Sequence, residues 1–329
     1  MRVEGRSVVV TGATGFVGSH LVEALVARGD RVRCLVRASS RTERLRELDA
    51  ELATVSLDDP AGLRAAVGGA EVVYHVAGLI KAVHGRDYVQ SNVVGTRNLA
   101  RACATADARP RRLVLVSSQA AAGPARPERP AREDDPPHPV SAYGQSKLAA
   151  EREALAVSER LEVAIARPST VYGPRDEALR PLFRLVRWRI GPELASDPAV
   201  SLIYVGDLVE LLLALADHPA AVGRVYFAAG SALRLTDIVA VIGDGFGRRP
   251  WRVPVPSVAL VGAGVVADLV SVATGRARPF GRRKALEMLH SGWVCSPARA
   301  AEELGFRATT PPGEGFRRTA AWYREHGWR

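Results

Sequence analysis

Near its start the chain sets three glycines between a short apolar run and an amphipathic segment. The glycines are Gly12, Gly15 and Gly18; residues 7–10 form the apolar run, and the apolar residues of 16–28 recur at helical spacing. Glycine permits positive φ, close approach of backbone to a pyrophosphate and tight packing of a helix on a strand, and the helix start offers free N–H groups to an anion. The pattern predicts a strand, a tight turn and a helix that hold a dinucleotide; an ordinary glycine-containing loop is the alternative.

The first 120 residues alternate β-branched runs with helical patterns. Such alternation is typical of an α/β fold with a doubly wound parallel sheet. The predicted strands of this region are residues 8–10, 32–36, 52–55, 72–76 and 113–116.

Beyond residue 120 the pattern becomes less regular. A proline-rich stretch, 124–139, predicts an irregular surface loop, residues 161–166 predict a sixth strand, and the strand 201–205 is expected to return the chain to the sheet. The resulting division is a dinucleotide-binding domain over 1–170, with 201–230 returning to it, and a smaller, mainly helical substrate lobe over 171–200 and 231–329.

A tyrosine and a lysine stand four residues apart, as Tyr143 and Lys147, in a segment that predicts a helix over 141–159. This spacing puts both on one helix face, where the ammonium favours ionisation of the phenol. A free tyrosine has a pKa near ~10, so a cation brings it closer to working pH. We therefore expect Tyr143 to exchange a proton with a carbonyl oxygen, its pKa lowered by Lys147.

Together the glycine turn and the tyrosine motif resemble those of the extended short-chain dehydrogenase/reductase family, which contains nucleotide-sugar epimerases and dehydratases, dihydroflavonol reductases and 3β-hydroxysteroid dehydrogenases. The resemblance runs from residue 7 to about residue 230. Further matching segments, in the family's order, are residues 73–78, 92–99, 116–118, 167–174 and 204–207. The resemblance implies a Rossmann fold and three catalytic residues: Ser118 hydrogen-bonds the substrate oxygen, Tyr143 is the general acid/base and Lys147 holds the nicotinamide ribose.

The resemblance also implies which residues contact the cofactor. In one respect the chain departs from the family, because Ser56 stands where relatives often have an Asp beside the adenine, and Asp58 is the candidate substitute. Asn92 matches a position that steadies the lysine region in relatives. The implied cofactor contacts are Gly12, Thr14, Gly15, Phe16, Val17, Gly18, Arg37, Leu57, Asp58, Ala77, Ser117, Tyr143, Lys147, Pro168 and Val171.

The end of the second strand indicates which cofactor is used. In the family an acidic residue there accepts hydrogen bonds from the ribose of NAD, whereas this chain has Val36 followed by Arg37. A guanidinium binds a 2′-phosphate with two charge-assisted hydrogen bonds, while a carboxylate repels it. The sequence therefore favours NADP(H). NAD(H) stays open, because Arg37 can also be a solvated surface residue that does not contact the cofactor.

The branches of the family share a hydride step, so other residues must separate them. Dehydration is disfavoured because alanines rather than carboxylates follow Gln119, next to Ser118. The favoured function is an NADP(H)-dependent oxidoreductase acting on a secondary alcohol or ketone of a hydrophobic, steroid-, flavonoid- or keto-acid-like substrate. The second candidate is an NAD-dependent nucleotide-sugar 4-epimerase, with Arg175, Arg180 and Arg184 for the diphosphate. A cofactor-sensing regulator is a third, against which the intact catalytic residues argue.

An apolar segment over 253–274 contains one charge, Asp268, and is followed by Arg276, Arg278, Arg282, Arg283 and Lys284. One interpretation is a buried helix of the second lobe or an apolar wall over the substrate. The other is peripheral membrane contact through 253–284, with the arginines facing anionic lipid.

Composition bounds the remaining possibilities. The 329 residues are 47% hydrophobic, enough for a full core. Three scattered cysteines suggest neither a disulfide framework nor a metal site, and with no secretory signal before the first strand we expect a cytoplasmic protein. The net charge of +10 is spread over many segments without a nucleic-acid-binding signature. The family resemblance implies a homodimer, and the expected partner is a small-molecule substrate rather than a nucleic acid.

Overall fold

In the computed structural model of the chain, the described residues are 5–274, 280–290 and 292–327. The strands are β1 Ser7–Thr11, β2 Arg31–Val36, β3 Glu51–Thr54, β4 Val72–His75, β5 Arg112–Val116, β6 Glu162–Pro168, β7 Thr170–Tyr172, β8 Ile190–Leu194, β9 Ala199–Tyr204, β10 Arg224–Ala228, β11 Ala232–Arg234, β12 Trp251–Val255 and β13 Gly292–Trp293. The α-helices are α1 Phe16–Ala27, α2 Glu43–Glu47, α3 Pro60–Val67, α4 Gly85–Tyr88, α5 Gly95–Thr105, α6 Ala142–Leu155, α7 Arg180–Arg187, α8 Val205–Asp217, α9 Leu235–Gly245, α10 Ser257–Thr274, α11 Arg282–Met288, α12 Ala298–Leu304 and α13 Pro312–Glu325.

A seven-stranded parallel sheet forms the centre of the molecule, in the order β10-β6-β5-β4-β1-β2-β3. Its central strands are apolar on both faces because helices cover both sides. The chain order reverses between β1 and β4, the point where doubly wound sheets bind ligands at the carboxyl ends of their strands. The predicted doubly wound α/β fold is confirmed.

Two apolar layers hold helices against this sheet. On one face, Leu21 and Leu25 of α1 pack in the same cluster as Leu208 and Leu212 of α8. On the other face, the cluster includes residues of α3, α5 and α6, with Leu99 fully buried. These layers fix the carboxyl edge of the sheet as a rigid platform for the turns that follow each strand.

The strand β9 does not join the central sheet, and the expectation for residues 201–205 was wrong in this respect. It pairs instead with β7, β11 and β13 in a separate four-stranded sheet. The strand that extends the central sheet beyond β6 is β10. The chain does return to the Rossmann layer, but through α8 and β10, and the domain limits drawn from the sequence stay a prediction.

A third apolar cluster forms the core of the second lobe. It joins α7, α9 and α13. The aromatic ring of Phe183 on α7 contacts the rings of Phe316 and Tyr323 on α13, and α9 adds aliphatic side chains. This lobe also contains the two-stranded ribbon of β8 and β12. The lobe is therefore mainly helical, as predicted, with short strands added to its helices.

The proline-rich stretch 124–139 has no helix or strand, as predicted, yet it is anchored at both lobes. Ala125 and Ala131 form isolated bridges to Trp293 and Cys295. Glu133 accepts a hydrogen bond from the backbone N–H of Phe227 at 2.8 Å. The loop therefore connects the edge of the central sheet with the second lobe.

The apolar helix α10 is largely exposed, so its interpretation as a buried helix was wrong. Val258 is 84% exposed and Leu269 is 65% exposed. Its single charged residue, Asp268, accepts a hydrogen bond from the backbone N–H of Arg282 at the start of α11. Arg276 and Arg278 lie outside the described residues, and among the described helices none has the length and apolarity needed to cross a bilayer.

Asp207 ties α8 to the segment before α13. Its carboxylate accepts hydrogen bonds from the hydroxyl of Thr310 at 2.9 Å and from the N–H of Thr310 at 3.2 Å. The side chain is buried. We expect Asp207→Ala to lower the free energy of unfolding by about 3 kcal/mol, because it removes the charged acceptor of the partly buried donors of Thr310. Urea denaturation measures the loss.

Glu210→Ala is the matched control, since Glu210 is an exposed carboxylate on the same helix. Its effect should stay within about 0.5 kcal/mol. Equal losses in the two variants would show that the carboxylate of Asp207 does not stabilise the junction.

Candidate active site

The glycine turn between β1 and α1 brings two strand ends into backbone contact. Gly12 has φ +71°, and a Cβ there would lie 2.6 Å from the backbone N of Ala77, which follows β4. A Cβ on Gly18 would lie 2.1 Å from the carbonyl oxygen of Gly12. Only glycine fits at either position without displacing backbone. The turn is therefore as compact as a dinucleotide fold requires.

The start of α1 supplies unpaired N–H groups at this turn. The N-cap is Gly15, with no side-chain cap, and Thr14 and Gly15 are exposed. Since the N–H groups of the first helical turn have no intrahelical acceptor, those of Phe16, Val17 and Gly18 suit an anion. The residues present fit the pyrophosphate of a dinucleotide.

Tyr143, the tyrosine predicted to be catalytic, is positioned by a close contact between α6 and the 3₁₀ turn Gln119–Ala121 that follows β5. A Cβ on Gly144 would lie 2.3 Å from the carbonyl oxygen of Ala120, so the helix start lies directly on the turn that follows Ser118. Ser118 caps that turn, accepting a hydrogen bond from the N–H of Ala120 at 3.2 Å. The hydroxyl of Ser118 is close enough to the phenol of Tyr143 to act on its pKa.

Lys147 lies one turn along α6 and is buried. Its ammonium donates to the carbonyl oxygen of Val116 at 2.7 Å. A Cβ on Gly78 would lie 3.4 Å from Nζ and equally far from Oδ1 of Asn92, so the ammonium borders the exposed backbone that follows β4. The structure therefore brings the three predicted catalytic residues together.

Asn92 links the lysine helix to this backbone. It lies in a π-helical turn, Val89–Val94, accepts from the N–H of Leu79 at 2.6 Å, and donates to the carbonyl oxygen of Leu79 at 3.0 Å and to the hydroxyl of Ser146 at 2.9 Å. Because Asn92 occupies both backbone groups of Leu79, it fixes the segment that faces Lys147. The family resemblance implied such a role, but not the π-helical turn.

A buried chain of hydroxyls and one imidazole ties the same elements together, and the sequence did not reveal it. Thr96 donates to the carbonyl oxygen of Asn92 at 2.6 Å, so it must accept from Nε2 of His75 at 3.0 Å. Nδ1 of His75 then accepts from Thr11 at 2.7 Å, and Thr11 accepts from the N–H of Ala77 at 3.2 Å. Burial lowers the pKa of His75 to about 3, so the ring is neutral and acts as a positioning group.

The pKa of Tyr143 is raised rather than lowered by the protein groups around it. Burial brings it to about 12, while the neighbouring hydroxyl of Ser118 acts in the opposite direction. The expectation that Lys147 lowers this pKa was wrong, because the ammonium is directed to Val116. Burial in turn lowers the pKa of Lys147 to about 8. With protein groups alone, the phenol is therefore a neutral proton donor.

The remaining predicted cofactor residues lie along the carboxyl edge of the sheet. Arg37 is exposed directly after β2, and its N–H donates to Ser40. Leu57 follows β3 and accepts through its carbonyl oxygen from Asn98 at 2.9 Å. Asp58 is exposed, with one carboxylate oxygen accepting from Gln90 at 2.7 Å. Pro168 ends β6, and Val171 lies in β7.

Ser117 is directed away from this edge. Its hydroxyl donates to Glu151, which also binds Arg167 with two hydrogen bonds of 2.7 and 2.9 Å. Both members of that ion pair are buried. The hydroxyl of Ser117 is therefore occupied by the buried ion pair of Glu151 and Arg167. A contact between the backbone of Ser117 and the cofactor stays a prediction.

Arg175, one of the arginines expected to bind a diphosphate, binds a carboxylate on α1 instead. Its guanidinium donates to both oxygens of Glu23, at 2.8 and 2.9 Å. Arg180 and Arg184 lie on α7. The structure thus assigns Arg175 to the contact between the second lobe and the Rossmann layer.

A comparison with protein families bears directly on this geometry. The model of the NAD dependent epimerase/dehydratase family matches residues 8–229, which is more than half of the chain. The chain belongs to this family. It is an enzyme of the extended short-chain dehydrogenase/reductase type, whose members bind NAD(P), as the sequence predicted.

Similar proteins include two whose names mention a lipid. The ceramide reductase of Caulobacter vibrioides is 35% identical, over 100% of this chain and 98% of that protein. Sterol demethylase protein B of Methylococcus capsulatus is 30% identical, over 97% of this chain and 98% of that protein.

Solved structures with the same fold cover nearly the whole chain. The crystal structure of gox2253 has a TM-score of 0.82 at 28% identity, covering 98% of this chain and 99% of that one. MoeE5 in complex with UDP-glucuronic acid and NAD has a TM-score of 0.74 at 29% identity, covering 98% of this chain and 100% of that one. The family thus includes both reductases and proteins that bind nucleotide sugars.

The lowered pKa of Lys147 can be measured directly, because the chain has only three lysines. We expect the ¹³Cε resonance of Lys147 to titrate with a midpoint near pH 8, since burial favours the neutral amine. Lys147→Arg assigns the signal by removing it. A midpoint at or above the ordinary lysine value of ~10.5 would contradict the burial of the ammonium.

Proposed function

We propose that the protein is an NADP(H)-dependent oxidoreductase that transfers a hydride between nicotinamide and a secondary alcohol or ketone of a hydrophobic substrate. The position of the Ser118 hydroxyl beside the phenol of Tyr143 carries this proposal. It sets two hydroxyls side by side, and the ammonium of Lys147 lies one helical turn away. A carbonyl oxygen placed between the hydroxyls accepts one hydrogen bond from each.

The nicotinamide, when bound, supplies the hydride to the carbonyl carbon in reduction and takes it in oxidation. Tyr143 gives its proton to the oxygen as the carbonyl becomes an alkoxide, and solvent then returns a proton to the phenolate. Ser118 holds the oxygen, and Lys147 holds the ribose with the ammonium donors that Val116 does not use. Because burial keeps Tyr143 protonated, the geometry favours reduction near neutral pH, whereas oxidation needs the phenolate and gains from higher pH.

The cofactor preference is supported by Arg37. It is the first residue after β2, the strand beside the glycine turn, and its side chain is exposed. Ser40 is held next to its backbone by a hydrogen bond of 3.1 Å. A guanidinium with nearby hydroxyls suits the 2′-phosphate that distinguishes NADP from NAD.

An apolar substrate is supported by the side chains near the phenol. The ring of Tyr88 lies 6.0 Å from that of Tyr143, centroid to centroid, and its hydroxyl donates to the carbonyl oxygen of Ile80, an exposed apolar residue. Two relatives whose names mention a lipid, the ceramide reductase and the sterol demethylase protein, are similar to this protein along nearly the whole chain. We infer a lipid-like ketone or alcohol, of which steroid-, flavonoid- and keto-acid-like molecules are the classes to test.

A nucleotide-sugar 4-epimerase is the second candidate, since MoeE5 was solved with UDP-sugars and NAD. The pairing of Arg175 with Glu23 counts against it, because that arginine is already neutralised. Purified protein distinguishes the two: exchangeable NADPH binding supports the reductase, and tightly co-purified NAD supports the epimerase. The expected homodimer and cytoplasmic location stay predictions.

Replacing the catalytic phenol tests the mechanism. We expect Tyr143→Phe to lower kcat for NADPH-dependent ketone reduction by about 10²–10⁴-fold, because the variant has no proton donor. Loss of NADPH absorbance measures the rate, with sterol ketones, keto-lipids, flavanonols and β-keto acids as substrates. Tyr88→Phe removes a neighbouring phenol as the control and should keep kcat within about threefold. Unchanged turnover in Tyr143→Phe would disprove the mechanism.

The cofactor preference is tested at Arg37. We expect Arg37→Ser to weaken NADPH binding by roughly 10–100-fold while leaving NADH binding unchanged, since only NADPH has the 2′-phosphate. Fluorescence titration with each cofactor gives the two Kd values. Arg31→Ser, at the other end of β2, is the matched control for charge. If both Kd values shift together in Arg37→Ser, the arginine does not select the phosphate.

A further inference from the structure

Two exposed tryptophans lie on adjoining backbone segments of the second lobe. Trp188 is 72% exposed and Trp251 is 65% exposed. The backbone N–H of Trp251 donates to the carbonyl oxygen of Arg189 at 2.8 Å, and Trp251 stands opposite the exposed Ile190 in the β8–β12 ribbon. A tryptophan combines a large apolar ring with one N–H donor, which favours the boundary between water and lipid headgroups.

Exposed arginines lie on the same segments as these tryptophans. We call the two tryptophans and these arginines the ribbon patch. Two carboxylates oppose its charge: Glu193, 3.6 Å from Arg252, and the exposed Asp244. Among the described residues the arginines of the patch outnumber these carboxylates, and the patch is therefore positive. Its exposed arginines are Arg189, Arg248, Arg249 and Arg252.

The helix α10 continues directly from this ribbon. It has 18 residues and a length of about 27 Å. Its exposed stripe contains Val258, Val265 and Leu269, which recur at helical spacing. The opposite side packs against α11, where a Cβ on Gly264 would lie 2.7 Å from the backbone N of Arg282.

The single charged residue of α10, Asp268, has a hydrogen-bond partner on the neighbouring helix. Asp268 accepts from the N–H of Arg282 at 3.0 Å, and its carboxylate is thereby held at the start of α11. The exposed side chains of Arg282 and Lys284 follow on α11. The outer face of α10 is thus apolar, with basic residues on both sides of it along the chain.

We propose that the ribbon patch and the outer face of α10 together bind the surface of an anionic lipid bilayer. Apolar side chains enter the headgroup boundary while the arginines pair with lipid phosphates, which is the pattern of peripheral membrane proteins. A nucleic acid would match the arginines but leave the apolar stripe in water. A second copy of the chain would cover the stripe but place the two positive patches against each other across a two-fold axis.

Membrane contact at this face brings the catalytic site close to the bilayer. The α11 carboxylate Glu287 is near enough to Tyr143 to act on its ionisation, and its carbonyl oxygen accepts from the indole of Trp293 at 3.0 Å. The α10–α11 pair therefore connects the proposed membrane face with the neighbourhood of the phenol. An apolar substrate dissolved in the membrane has a short path to the site; this consequence rests on the proposed function, whereas binding itself does not.

Vesicle co-sedimentation of the full chain tests the proposal without any substrate. We expect binding to vesicles of equal parts phosphatidylglycerol and phosphatidylcholine, weak binding to phosphatidylcholine alone, and release by high salt. Arg189→Gln with Arg252→Gln should weaken binding by roughly 30-fold, at about fivefold for each arginine. Val258→Ser with Leu269→Ser should also weaken it, without changing the dependence on salt.

The matched control is Arg64→Gln with Arg101→Gln, two exposed arginines on α3 and α5 of the Rossmann layer, which should bind vesicles like the wild type. Thermal unfolding and NADPH binding verify that every variant is folded.

The proposal is overturned if the wild type stays in solution with anionic vesicles, or if patch and control variants bind alike. It is also overturned if the patch variants instead abolish a dimer in sedimentation velocity, or binding to a DNA or RNA oligonucleotide, while vesicle binding is unaffected. An inactive protein that still binds vesicles would contradict only the proposed function.

Discussion

The close contact of Gly144 with the carbonyl oxygen of Ala120 is the constraint on which the catalytic geometry depends. It sets α6 against the turn after β5 with no room for a side chain, and this places Tyr143 beside Ser118. The same helix then carries Lys147 to the end of β5, where Val116 accepts its hydrogen bond. One backbone contact therefore aligns groups from two elements that the sheet alone would only bring near one another.

Much of the Rossmann layer could be predicted because its signals are local. The glycine turn and the alternation of strands and helices follow from residue types that are adjacent in sequence. The assignment of 201–205 to the central sheet failed because β9 and β10 are equally β-rich, and the choice of partner strand is made by tertiary packing. A strand pattern specifies the conformation but not the sheet.

The site shows the same limit at the level of single side chains. The spacing of Tyr143 and Lys147 was sufficient to place them on one face, but not to show that Val116 binds the ammonium and that burial controls the phenol. Likewise Ser117 and Ser118 are neighbours whose side chains have separate partners, Glu151 for one and Tyr143 for the other. The apolar composition of α10 fits a buried helix as well as an exposed one, and only the packing of α11 on one side decides between them.

The π-helical turn at Val89–Val94 has a consequence for how this region tolerates change. Such a turn accommodates one residue more than an α-helix of the same rise. Deleting a single residue there would let the segment relax to regular α geometry, with little change in the relation between α4 and α5 but a shift of the residues in the turn itself. Asn92 lies in this turn, so its hydrogen bonds with Leu79 and Ser146 would be lost. Length in this short segment is thus under tighter constraint than the identity of its exposed side chains, such as Val89.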